Sequence, residues 1–381
     1  MSTRVDAVSP SLAAADVRAL RVTALWALLA AKLIGGWGVQ WDIRWHLLVG
    51  RDSFWIPPHV MTYASVTLTA LLAFGVLGAE TIQARRGLPA PRRVRIAGLV
   101  GTPGFHLAWW GVALTALAAP IDDLWHRLFG IDVTLWSPPH LLGMAGAQVT
   151  TLGCLVIAVE LWPPGSRARR AALLLGATLM FGAFLILVDP AIQTAFRRGG
   201  VFFFAWAGLG ALAFSFSLAL AAQLTGLRSA PLALALGAVA LHWLGIGLAD
   251  AGFALTQPTP AIEAAIAADP GSPIALAHEM ARRNGTVPGR AMTLRFLPVV
   301  AAALMTLVDA RRRWAAASLA LGLGLLVASG LTFARLPAFA HALPGPGDVA
   351  LAGLATALAA LAGGAAARGL AAWARPLISP G

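Results

Sequence analysis

Two short stretches of this chain carry the side chains best suited to chemistry. The first, WDIRWHLLVGRDSFWIPPH from Trp41, holds Asp42, His46 and His59; the second, IDDLWHRLFGIDVTLWSPPH from Ile121, holds Asp122, His126 and His140. Both read Asp, three residues, a His preceded by Trp, then Gly-x-Asp and Pro-Pro-His, with spacings of 4 then 13 and 4 then 14. One carboxylate and two imidazoles make a three-ligand set, which suits copper, zinc or non-haem iron and leaves coordination positions open, as a catalytic metal needs. The six residues are therefore the candidate metal ligands and the candidate catalytic groups. The single cysteine, Cys154, excludes a thiolate site and an internal disulfide.

The spacing dictates the elements that must position these groups. Residues four apart share a helix face, so Asp42 and His46, or Asp122 and His126, reach one ion from the end of one helix. Gly50 and Gly130 then turn the chain, and Pro-Pro opens a returning helix whose first turn needs no amide donor. Ser137 is a natural N-cap. His59 and His140 fall in that first turn, where the helix dipole favours a neutral, metal-binding imidazole. Asp52, Asp132 and Asp123 are candidates to orient a histidine through its other nitrogen. Trp45, Trp55, Trp125 and Trp136 are placed to wall the sites from water. The bland alternative is an interfacial Trp/His belt with routine helix-start prolines, and the repeat of a full Asp-His-His set argues against it.

The solvent of these hairpins is set by composition. With 59% hydrophobic residues, 12% charged and a mean hydropathy of +0.77, the 381 residues read as an all-α, polytopic integral membrane helix bundle. Continuous Leu/Ala/Gly-rich runs without two-residue alternation exclude a transmembrane barrel. Ten spans are expected, near 22–40, 57–79, 97–119, 138–161, 171–188, 201–224, 231–251, 291–309, 315–333 and 348–367. The polar first 17 residues carry two Asp and do not resemble a cleavable secretory signal, so the first span is expected to be retained.

With both termini cytoplasmic, 17 arginines fall on inner segments against 10 on outer ones. That orientation puts both histidine hairpins at the periplasmic face of a bacterial inner membrane, with the bilayer as the surrounding partner. It also accounts for the net charge of +12 without nucleic acid. Three regions follow: a cytoplasmic tail, 1–21; a four-helix region bearing the duplicated hairpins, 22–165; and a six-helix region, 166–381, with a long outer loop at 253–290.

Outside the hairpins the signals are weaker. His106 reads as a core histidine bonded to a neighbouring helix. Asp189, Asp250 and His242 point toward the same outer side and read as capping and interfacial groups, with an accessory ligand role as the alternative. In the outer loop, IALAHEMARR reads as a short amphipathic helix, either a lid over the metal sites or part of a solvated loop. Adjacent His278 and Glu279 face different ways and form no binding pair. His341 reads as incidental.

The first hairpin closely resembles a copper-site segment of the copper membrane monooxygenase family, the particulate methane and ammonia monooxygenases, in the membrane protein that holds two of the family's copper sites. The likeness is carried by Asp42, Trp45, His46, Arg51, Asp52, Phe54, Pro57, His59 and Tyr63. The second hairpin resembles the second copper site of that same family member, with the 4-then-14 spacing and the closing Pro-x-His, but has Asp122 where the family has Asn. The resemblance covers about residues 40 to 163. The family's protein has a longer region before its first site and a short tail after its second, unlike this chain. It also works in a three-component complex with a copper-bearing cupredoxin that has no counterpart here. The resemblance implies two copper sites, oxidation of a small apolar or ammonia-like substrate with dioxygen, and further monooxygenase-type subunits, or a homo-oligomer, as partners. A copper storage, delivery or assembly protein is the alternative. A transporter is weaker, because its path needs polar groups at several depths and the Asp and His residues cluster on one side.

Overall fold

A computed structural model describes residues 10–50, 53–88, 92–129, 134–289 and 293–377; within it, nothing is described of the side chains of 10–15, 126, 293 and 294. The chain is an all-helical, multi-pass membrane bundle. In order run α1 (Pro10–Leu48), α2 (Pro57–Arg85), the strands β1 (Val94–Ile96) and β2 (Leu99–Gly101), α3 (Pro103–Phe129), α4 (Pro138–Leu161), α5 (Arg167–Val188) and α6 (Pro190–Arg198). Then follow α7 (Ala205–Thr225), α8 (Ala230–Thr256), α9 (Ile262–Ala268), α10 (Pro273–Arg283), α11 (Thr293–Val308), α12 (Trp314–Phe333) and α13 (Pro346–Ala374).

Nine segments among the described residues are long and apolar enough to cross a membrane. The expected eighth span, 291–309, is the exception: its apolar helix, Arg295–Val308, is shorter. Its far end falls within a residue of the expected one, and the first expected residues, 291 and 292, lie outside the described residues. The β1–β2 hairpin, antiparallel with Arg95 opposite Val100, has no counterpart among the expected elements. It folds back against the end of α2, where the Thr81 hydroxyl accepts the Val100 amide at 2.8 Å.

Hairpins α1–α2 and α3–α4 lie side by side, so both histidine turns sit at one end of the bundle. Small residues draw α3 and α4 together: a Cβ on Gly153 would stand 2.5 Å from the Ala108 amide nitrogen, and one on Gly146 would stand 2.6 Å from the Gly111 carbonyl oxygen. At the opposite end a buried charge cluster ties the helices. Glu80, fully buried, accepts from Arg21 Nε and Nη2, each at 2.7 Å, and from Arg93 Nε at 3.1 Å. Beside it, Glu160 accepts from the Thr102 hydroxyl at 2.5 Å and the Gly104 amide at 2.9 Å, fixing the start of α3 to the end of α4. His106 is buried in the core as expected, but its Nε2 lies 3.3 Å from the carbonyl of Val94 on strand β1 rather than meeting a neighbouring helix.

Candidate metal centre

The first set is assembled by the end of α1 and the start of α2. α1 runs on past Gln40 to Leu48, so Asp42 and His46 share a face, and His46 Nε2 lies 3.6 Å from Asp42 Oδ1. Gly50, at φ 77°, turns the chain against Ile262, whose Cα would lie 2.5 Å from a Cβ there. Only glycine fits both demands. Ile56 is extended, Pro57 and Pro58 open α2, and His59 lands in its first turn.

His59 is held in a defined orientation. Its Nδ1 lies 3.1 Å from the Ser53 carbonyl oxygen. A carbonyl only accepts, so Nδ1 carries a proton and the ring turns Nε2 the other way. That nitrogen lies 3.1 Å from Asp42 Oδ1, an atom that is buried and meets no hydrogen-bond donor among the described residues. That approach is favourable in two ways, through a second N–H on an imidazolium or through a metal ion bound to both atoms. One ligand atom from each of Asp42, His46 and His59 lies within 4.8 Å of the others. Ligand distances of about 2.0–2.2 Å allow atoms bound to one ion to stand up to about 4.4 Å apart. Two of the pairs already meet this limit, and a small side-chain adjustment brings in the third. The residues fit a metal ion.

The second set repeats this construction. His140 Nδ1 lies 2.7 Å from the Thr134 carbonyl oxygen, and its Nε2 lies 3.5 Å from Asp122 Oδ1. Both returning histidines therefore use a backbone carbonyl six residues upstream to present Nε2 to the carboxylate. His126 follows Asp122 by one turn on α3, and its side chain lies outside the described residues, as do Asp52, Gly130 and Asp132.

Several expected supports are replaced. Asp123 pairs with Arg127 at 2.7 Å on the surface, and among the described residues it orients no histidine. Ser137 stands at the N-cap position in extended conformation, but its hydroxyl makes no cap bond, and Pro138 and Pro139 start the helix without it. Trp45 is buried and stacks on Phe253 at 5.8 Å, whereas Trp55 is 73% exposed and walls off nothing. Trp136 anchors the second turn by donating to the Leu187 carbonyl at 2.7 Å.

The elements that brace the first set come from positions whose role the sequence does not announce. Arg44 donates to the Ile246 carbonyl at 3.0 Å and pairs with Asp250 at 2.6 Å; Gln40 donates to the His242 carbonyl at 2.9 Å, and Trp37 to the Leu241 carbonyl at 3.2 Å. Trp37, Gln40 and Arg44 recur at helical spacing on an otherwise apolar helix, and that stripe is the available signal. Asp250 is thus an ion-pair partner of α1 rather than a cap. Asp189 likewise pairs with Arg295 at 2.5 Å.

The outer loop seats directly on the end of α1, at the first set. IALAHEMARR is helical as α10. His278 Nε2 lies 2.8 Å from the Leu47 carbonyl oxygen, and the Ala261 amide donates to the Val49 carbonyl at 2.7 Å. These are carbonyls at a helix C-terminus that no helical amide can satisfy. His341, read as incidental, similarly ties its segment to the Phe196 carbonyl at 2.8 Å. His278→Ala is expected to cost about 0.5–1.5 kcal/mol of local stability. It should speed amide exchange across 262–283 without unfolding the spans, as hydrogen-exchange mass spectrometry will read.

The chain matches no protein-family model, no curated protein and no solved structure. The likeness to the membrane monooxygenases therefore rests on the hairpin residues themselves.

Proposed function

We propose that this protein binds copper at Asp42, His46 and His59 and at Asp122, His126 and His140. In this reading it works as a copper-dependent membrane monooxygenase, or as the metal-bearing subunit of one. Its substrate is a small apolar or ammonia-like molecule oxidised with dioxygen. The observation that carries the reading is the grouping of three ligand types: one ligand atom from each of Asp42, His46 and His59 lies within 4.8 Å of the others, with His59 turned toward the buried Asp42 Oδ1 by the Ser53 carbonyl on the far side of its ring. The arginine asymmetry supports placing both sets at the periplasmic face of a bacterial inner membrane.

The chain's own contribution is positional. The Ser53 and Thr134 carbonyls orient the rings of His59 and His140 through Nδ1. The α8 contacts hold the end of α1, and α10 covers it. Copper, when bound, supplies the redox chemistry at the open coordination positions left by three protein ligands.

Metal analysis with electron paramagnetic resonance on the lipid-reconstituted protein tests the reading. Wild type loaded with copper is expected to bind it stoichiometrically, with His46→Ala and His126→Ala each losing one set. No bound copper in wild type, or full occupancy in both variants, sinks it. Copper bound without substrate oxidation, with any partner subunits supplied, moves the function to storage, delivery or assembly.

A further inference from the structure

Of the 28 basic residues in the chain, Lys32 alone is lysine. It sits in α1, sixteen residues from either end of the span Asp16–Leu48. That is about 24 Å of helix in each direction, so its amine cannot reach water by snorkelling as lysines near helix ends do. Its Nζ donates to the Ala147 carbonyl on α4 at 2.9 Å, and among the described residues it has no carboxylate partner. Every other basic group here is arginine, which holds a permanent charge, whereas lysine can release its proton. An ionisable side chain kept at this depth calls for a function.

The surroundings are polar at matching depths. On α4 the Cys154 thiol is the titratable group facing Lys32, and Gln148 carries a buried Oε1 that meets no donor among the described residues. On α2, Ser65 donates to the Ala31 carbonyl at 2.6 Å, and the buried Thr69 hydroxyl, one turn further from His59, has no hydrogen-bond partner among the described residues. The helices α5 and α8, also packed on α1, present no titratable group to this amine among the described residues. Glu80 and Glu160 lie at the end of the bundle away from the Asp42 set. Beyond the Asp and His residues expected on one side, ionisable groups therefore stand at two further depths.

We propose that Lys32 is a proton-carrying site in the middle of the membrane, linking the Glu80 and Glu160 end of the bundle to the Asp42 end. The Nζ lone pair accepts a proton arriving from one end, and the N–H bond breaks again as a proton leaves toward the other. One proton moves and no electron does. This inference stands apart from the identity of the metal.

The test is proton flux into liposomes that hold the full-length protein and an internal pH-sensitive dye, driven by a potassium diffusion potential. Wild type is expected to acidify the lumen faster than protein-free vesicles. Lys32→Met, which has no titratable group, and Lys32→Arg, which keeps the charge but not the exchangeable proton, should both fall to the protein-free rate. Lys32→Arg preserves the charge, so it remains informative even where Lys32→Met fails to fold. Wild-type flux in either folded variant, or no wild-type flux above protein-free vesicles, overturns the proposal. Copper content of the same preparations reports on the metal sets separately.

Discussion

Asp42→Ala is expected to weaken metal binding at the first set more than a hundredfold, while leaving the fold intact. Losing an orienting partner of a metal ligand costs about 10–100-fold, and Asp42 is a ligand candidate whose Oδ1 is the atom both histidines face. The accompanying stability change separates two roles for this carboxylate. If Asp42 chiefly anchored His59 as an ion-pair partner, its removal would lower thermal stability in metal-free protein. The geometry argues the reverse, because the Ser53 carbonyl and the first turn of α2 already hold the His59 ring in place without Asp42. Metal-free Asp42→Ala should therefore unfold within about 0.5 kcal/mol of wild type, as substitutions away from structural features do. Chelator competition reads the affinity, and thermal unfolding in metal-free buffer reads the stability. Unchanged affinity with lost stability would show Asp42 to be an anchor and remove it from the ligand set.

The ligand pattern is legible in the sequence because it depends on local chain geometry. Four residues along a helix bring Asp42 to His46, and Gly50 with Pro57 and Pro58 returns His59 to the same place. Those are short-range rules, and they place Asp122 against His140 as well. What orients the histidines is not legible, since the Ser53 and Thr134 carbonyls are backbone atoms and any residue there supplies them. Nearby carboxylates are the natural candidates from side-chain chemistry, yet Asp123 is drawn outward by Arg127. The α8 brace is equally hidden. Arg44 and Asp250 are some two hundred residues apart, and only the bundle's packing brings them to 2.6 Å. Lys32 is masked in a related way: one amine among apolar neighbours barely lowers the hydropathy of its span, and only the packed bundle shows how deep it lies.

Glu80→Ala is expected to give the largest loss of stability of any single change away from the metal sets, about 3–5 kcal/mol, the usual cost of breaking a buried ion pair from one side. Glu80 is fully buried and satisfies two guanidinium groups, Arg21 at 11% and Arg93 at 8% side-chain exposure. Removing it strands two buried positive charges. Arg93→Ala strands none, because Glu80 keeps its two bonds from Arg21. Arg93 also donates to the Leu88 carbonyl at 3.1 Å and to Gln83 at 2.6 Å, so its loss frees the chain leading into the β1–β2 hairpin but leaves the helices joined. Unfolding in detergent should therefore rank wild type above Arg93→Ala and Arg93→Ala above Glu80→Ala. Copper loading of whatever remains folded should be near wild type, because the cluster lies at the end of the bundle away from the histidines. Equal losses in the two variants would mean that Arg21 and Glu80 hold the helices no better than a surface pair does.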